Sequence, residues 1–330
     1  MKETELALPA AQGDPRGDPA QHRQSVVGTP DTERVSFVSD FYTRIVVRAE
    51  LRPTGPYSLR LSGRLASDAC RVVVDGTFRS TIRVEGRLEQ VQAAQRPDGT
   101  IVVVATSEAG IDHLRFVLGL DDDHTEFLQR FADDPLLAET LRRMRGLRPM
   151  RTGTVAQALL RAVAGQLILA KRARQIERSI IRAASPELGG MHAAPSCAEL
   201  GAFSPAQLAR HGLGARRAAA LIRLCRGREL ESLKSLPVAA VAARLNRERG
   251  LGPWSVGVIC LEGLGRYEFG LARDLGLVKL ASALWGRWVE AEETDELLAP
   301  YGSWAGLASV YLLAGYHRGL IPLPDARLIA

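Results

Sequence analysis

The stretch Leu245–Leu280, LNRERGLGPWSVGVICLEGLGRYEFGLARDLGLVKL, decides how this chain is read. A helical segment, Pro237–Leu245, runs into Gly250-Leu251-Gly252, a turn that a residue with a Cβ enters only with strain. A second apolar run follows from Trp254 to Leu264, so residues 238–264 read as helix, glycine turn, helix. The second helix opens just after Gly252, and its first N–H groups have no partner within the helix. With the helix dipole behind them they favour an anion, and a nucleic-acid phosphate is the natural guest. The chain then loops through Gly265–Gly270 and offers one carboxylate, Asp274, at the head of the apolar segment Leu275–Leu284.

These residues resemble the helix-hairpin-helix DNA glycosylase superfamily, and within it the 3-methyladenine DNA glycosylase II type. Leu245, Gly250, Leu251, Gly252, Pro253, Trp254 and Ser255 match the family pattern, and Asp274 follows Gly252 by 22 residues, the spacing of the family's catalytic aspartate. Three positions depart from it. Glu248 and Arg249 stand where relatives carry a hydrophobic residue and Pro, and Val256 replaces a small Ala.

The net charge of +6 is a moderate basic bias that suits a polyanionic partner. Cys70, Cys197, Cys225 and Cys260 lie far apart with no C-x-x-C spacing, which argues against zinc and against a disulfide framework and fits a reducing cytoplasm. There is no C-terminal four-cysteine cluster, so the iron–sulfur branch of the superfamily is excluded. No signal peptide or membrane-length apolar run is evident.

Residues 1–36 are rich in Pro, Gly, Asp, Gln and Arg without apolar periodicity and read as a disordered tail. Short β-branched runs at 41–47, 57–61, 71–74, 81–84 and 100–105 follow, some separated by Pro-Thr-Gly-Pro, Asp-Gly or Pro-Asp-Gly. They predict an antiparallel sheet domain over 37–120 that closes with a short helix over Gly110–Leu120. From Asp121 to Ala330 the pattern is helical. The expected fold is therefore α+β, mainly α: a two-lobed helical core behind an N-terminal antiparallel β-sheet domain.

Between Leu141 and Arg182 eleven Lys and Arg face one acid, Glu177, and collectively they read as an electrostatic footprint for a phosphate backbone. Within that span, Gly165-Gln166-Leu167-Ile168 fits the family's loop between two helices, with Lys171 and Arg172 opening the second. The resemblance implies that this loop probes a duplex, Gln166, Lys171 and Arg172 contacting DNA. Leu167 is either a wedge filling the gap left by a rotated nucleotide or simply core. Ser204-Pro205 caps a further helix, and His211, beside that helix's end, reads as structural. The acidic segment 290–296 is expected to face away from DNA, and Trp304 is a candidate pocket wall.

The chemistry follows from the leaving group. A purine alkylated on a ring nitrogen is cationic, and cleaving its N-glycosidic bond makes the sugar oxocarbenium-like. One carboxylate beside the anomeric carbon stabilises that charge and helps deprotonate water. Asp274 is the candidate, and its position at a helix start is compatible with a capping role because N–H donors stabilise a carboxylate; Arg273, beside it, is expected to add to that. In lyase-competent relatives a lysine occupies the position of Trp254, so the resemblance implies a monofunctional enzyme, with Trp254 as an aromatic wall for an electron-poor base. Gly250, Gly252 and Ser255 are the implied phosphate contacts. Main-chain carbonyls of Asn246, Glu248 and Leu251 match the positions that hold a monovalent ion in some relatives; no cofactor is expected. The resemblance thus implies a monomeric, cytoplasmic base-excision enzyme acting on damaged double-stranded DNA, without a membrane. Two alternatives stand beside it: the same fold acting on deaminated or oxidised bases, and a DNA-binding protein that has lost catalysis.

Overall fold

In the computed structural model, residues 47–64, 66–227 and 229–324 are described. The tail at 1–36 and most of the first expected strand, 41–46, lie outside them.

The sheet has five antiparallel strands in the order β1-β5-β4-β3-β2: β1 (Val47–Leu51), β2 (Arg71–Val74), β3 (Thr77–Val84), β4 (Arg87–Gln95) and β5 (Ile101–Ala105). Asp75-Gly76 and Glu85-Gly86 both take positive φ at each residue, the two-residue turn whose twist matches that of the strands it joins. Two expectations are corrected here. Residues 57–61 do not form a strand; Ser58 accepts the Leu61 N–H and starts a short helix, α1 (Leu59–Gly63), whose Gly63 leaves room for Val73. β4 was not expected, because its apolar content is low. It is nevertheless interior, between β3 and β5, and its buried Glu89 is satisfied just past the end of β5, accepting from the Thr106 N–H at 3.1 Å and the Ser107 hydroxyl at 2.6 Å. Helix α2 (Glu108–Leu118), capped by Ser107, covers one face and encloses Phe78, Val91, Ile101, Val103, Leu114 and Leu118.

The helices then run as α3 (Thr125–Arg130), α4 (Ala138–Arg143), α5 (Val155–Gly165) and α6 (Ala170–Ala184), and, after the small ribbon β6 (Glu187–Leu188) and β7 (Met191–His192), α7 (Cys197–Gly201), α8 (Pro205–Arg210) and α9 (Ala215–Gly227). Next come α10 (Val238–Asn246), α11 (Pro253–Val258), α12 (Leu275–Trp285), α13 (Thr294–Leu298) and α14 (Ala305–Tyr316). α11 continues as a wider π turn over Ile259–Leu264. His211 accepts or donates at 2.7 Å to Ser179, a structural contact.

Two apolar cores make the two lobes. One gathers α5 and α6 with α7 to α11; the other gathers α3 and α4 with α12 to α14. The second hairpin helix is the wall between them, since Val256, Val258 and Ile259 enter the first core and Leu261 the second. Among the described residues one helical stretch, Ala291–Tyr316, is long and apolar enough to cross a membrane, contrary to expectation. It is mostly buried in the second lobe and is broken at Gly302 (φ 52°, ψ −124°), as a core segment can be.

α5 is buried on every side, and in its middle lies Arg161. Its guanidinium meets Asp68 at 2.7 Å, Glu177 at 2.8 Å and Glu262, while Arg71 meets the same Asp68 at 2.9 Å. Burial pushes the carboxyls of Asp68 and Glu262 upward, and the neighbouring arginines more than offset it, holding both below the usual carboxylate range.

Replacing Arg161 with Met takes the shared cation away from Glu177 and Glu262 and leaves Asp68 with Arg71 alone. The expected loss is about 3–5 kcal/mol in urea unfolding, whereas breaking an exposed pair such as Arg142–Glu139 should leave the urea midpoint nearly unchanged. Two histidines set a second expectation. Burial, reinforced by Lys234 and Arg148 respectively, pushes His113 down to about 4 and His124 to about 3 from 6.5. Both stay neutral when folded, so their contribution is complete above pH 6.5 and is lost as pH falls below it. The urea midpoint should therefore decline between about pH 6.5 and 4.5, before the carboxylates titrate; a flat profile there would rule these histidines out.

Candidate active site and nucleic-acid interface

The hairpin turn is shaped by Gly250 and held from behind. Gly250 has φ +96°, the left-handed region a side chain resists. Gly252 differs from expectation: its φ is −103°, and a Cβ there would meet nothing within 4 Å. Its smallness leaves open space in front of the first N–H groups of α11, where no side-chain cap is present among the described residues. The Glu248-Arg249 departure has a structural counterpart on α9. Arg223 bonds the buried Glu248 carboxylate at 2.9 Å and also the carbonyl of Arg249. The turn is thereby pinned, and Arg247 and Arg249 remain exposed on its rim. Of the three carbonyls considered for a monovalent ion, that of Glu248 already accepts the Leu251 N–H at 3.1 Å, while a carbonyl's second lone pair leaves the donor set compatible with one.

The loop between α5 and α6 is tied to this turn. The Gln166 amide donates to the Gly250 carbonyl at 2.8 Å and to the Ser255 hydroxyl at 3.0 Å, and Arg217 holds the Gln166 carbonyl at 3.0 Å. Gln166 and the buried Ser255 thus turn their side chains toward each other. Leu167 is not core. It takes φ +57° and is 102% exposed, and Leu169 is 73% exposed, while Ile168 between them packs inward. Lys171 and Arg172 stand exposed on the first turn of α6.

The basic run is only partly a surface feature. Arg148, Arg151 and Arg161 are buried and spent on internal partners: Arg148 on the carbonyls of Gly119, Thr54 and Pro56, Arg151 on Asp122 at 2.5 Å, Arg161 on its acids. Arg142 and Arg143 pair with Glu139. A count of charges along a sequence cannot separate these from the exposed cations.

Asp274 sits where the lobes meet. It caps α12, one carboxylate oxygen accepting the Gly276 N–H at 2.7 Å and the other the Trp254 indole N–H at 3.0 Å. Trp254 in turn lies on Gly165, where an added Cβ would come within 2.5 Å of its Cη2. Loop, hairpin helix and carboxylate are therefore linked through one indole, a connection that residue spacing does not reveal. Leu275, next to Asp274, is exposed. Two other features singled out in the sequence lie in this region. The Arg273 guanidinium is directed to Glu292 at 3.2 Å, so the acidic segment docks beside Asp274 and partly neutralises that cation. Trp304 is half-buried and packs with Phe127 (5.7 Å between ring centres), His124 (6.2 Å) and Tyr267 (6.3 Å) against the second lobe's core; its N–H has no partner among the described residues.

No family model matches this chain. In sequence it is similar to a Mycobacterium tuberculosis protein named probable bifunctional transcriptional activator/DNA repair enzyme AlkA, at 26% identity over 300 residues, 87% of this chain; the chain spans 59% of that relative's length. A Bacillus subtilis protein named DNA-3-methyladenine glycosylase is 25% identical over 254 residues, 73% of this chain and 84% of its own length. In structure the chain is similar to a 3-methyladenine DNA-glycosylase from Archaeoglobus fulgidus, with a TM-score of 0.72 and 24% identity over 82% of this chain and 98% of that one, a likeness of fold.

The two glycines make opposite predictions. Gly165→Ala drives a methyl into Trp254 and should cost about 1–3 kcal/mol in unfolding, with altered tryptophan fluorescence. Gly252→Ala enters open space and should leave stability within about 0.5 kcal/mol. Equal effects at the two positions would contradict the packing described.

Proposed function

We propose that this chain, which belongs to the helix-hairpin-helix DNA glycosylase superfamily, is a monofunctional glycosylase. It rotates an alkylated purine of the 3-methyladenine kind out of duplex DNA and hydrolyses its N-glycosidic bond. The observation that carries the reading is the Asp274 carboxylate, fixed by the Trp254 N–H and the first turn of α12 at the junction of the lobes. Both relatives' names point to the same class of repair.

The hairpin supplies the phosphate anchor through the free N–H groups behind Gly252, with Arg247 and Arg249 on its rim. Leu167, strained and fully in water, has the placement of a side chain that enters the stack when a nucleotide leaves it. The glycosidic bond breaks with its electrons going to the cationic base. Asp274 stabilises the positive charge that grows on the sugar, and water then bonds to the anomeric carbon as its proton passes to the carboxylate. Trp254 stands where a lysine would be needed to attack the sugar, so the product is an abasic site in an unbroken strand. The activity is that of a monomer acting on the chromosome in the cytoplasm. The Glu248-Arg249 departure, which motivates a binding-only reading, is compensated by Arg223.

Asp274→Asn should lower release of methylated purines from duplex DNA by about 10²-fold or more, with duplex affinity little changed. Strand breaks should appear only after alkali. Undiminished release by the variant would remove Asp274 from the mechanism.

A further inference from the structure

The segment that delivers Asp274 crosses from the π turn to α12, and two fully buried hydroxyls hold it. Ser309 on α14 accepts the Leu271 N–H at 3.0 Å and donates to the Ala305 carbonyl at 2.7 Å. Thr294, at the start of α13, accepts the Arg273 N–H at 2.7 Å and donates to the Ala291 carbonyl at 2.6 Å. Between these bonds Arg273 takes φ +68°. A non-glycine residue in that region is strained and persists only where its surroundings over-determine it.

The strained residue directly precedes the carboxylate, and Thr294 bonds its own N–H. Relaxing Arg273 to an ordinary φ turns the peptide that carries Asp274. The aspartate cannot then reach the Gly276 N–H and the Trp254 indole from the same place. The Arg273 side chain adds a second tie to the same short segment, through Glu292 at 3.2 Å. No single-function group can replace the hydroxyl, because it donates and accepts at once.

We propose that Thr294 is a positioning residue for Asp274: its buried hydroxyl latches the strained Arg273 turn and so sets the carboxylate against the reacting sugar. This rests on the reading of Asp274 as the catalytic carboxylate. Thr294 is fully buried, out of a substrate's reach, so the effect belongs to the chemical step and not to duplex binding.

The test is single-turnover release of methylated purine by Thr294→Val, Thr294→Ser and the double variant Arg273→Gly/Thr294→Val. Thr294→Val keeps the shape and loses the hydroxyl; its rate should fall by about 10- to 100-fold, with duplex affinity within about twofold. Thr294→Ser should restore most of the rate. Arg273→Gly should rescue the valine variant, because glycine adopts the left-handed turn without strain. A valine variant within about twofold of wild type, a serine variant no better than valine, or no rescue by glycine would each overturn the proposal. Amide hydrogen exchange at Arg273 gives a readout independent of activity, with faster exchange expected in Thr294→Val than in wild type. If wild type released no base, the functional reading would fall while exchange still decided whether Thr294 holds the turn; unchanged protection would overturn the latch itself.

Discussion

Arg161 is the constraint on which the arrangement of this molecule depends. One guanidinium in the middle of α5 joins the segment before β2, through Asp68, to α6, through Glu177, and to the second hairpin helix, through Glu262. Taking such charges out of water is costly, and a buried ion pair is seldom a net source of stability. What it supplies is register. Apolar side chains tolerate sliding and exchange of partners, whereas three carboxylates around one planar cation accept one relative placement of their backbones. α5 also carries Gly165 at its end, so the placement that satisfies Arg161 is the one that brings Trp254 onto that glycine.

From there the site assembles by contact. The indole that rests on Gly165 holds Asp274, and the amide of the next residue, Gln166, holds the hairpin turn. The phosphate anchor, the probing loop and the carboxylate are thus set by neighbouring residues of one loop instead of by three independent elements. The hairpin's second helix, shared between both cores, transmits the arrangement from one lobe to the other.

What was legible in the sequence was what the backbone demands. Gly250 needs a positive φ, Ser204-Pro205 and Ser107 mark helix starts, and the spacing from Gly252 to Asp274 survives because a helix, a loop and a cap must fit between them. What was not legible depends on which side chains meet. β4 hides because its polar residues find partners only in the folded sheet, and α1 hides because the serine cap at Ser58 outweighs the strand-like alternation of Leu59-Arg60-Leu61. The buried arginines are indistinguishable by letter from exposed ones. Gln166, Ser255 and Arg273 carry the residue types of DNA contacts, and the fold directs their side chains to other parts of the protein.

Leu167 and Leu169 have a thermodynamic consequence. Burying one leucine side chain is worth about 1.5–3 kcal/mol relative to leaving it in water, so the free protein carries both as apolar surface that its own fold does not cover. Any partner that covers them removes ordered hydration, and the association carries a negative change in heat capacity. The balance of enthalpy and entropy therefore shifts with temperature, and the apolar part of the attraction weakens on cooling. In that respect the loop is a thermal element as well as a mechanical one.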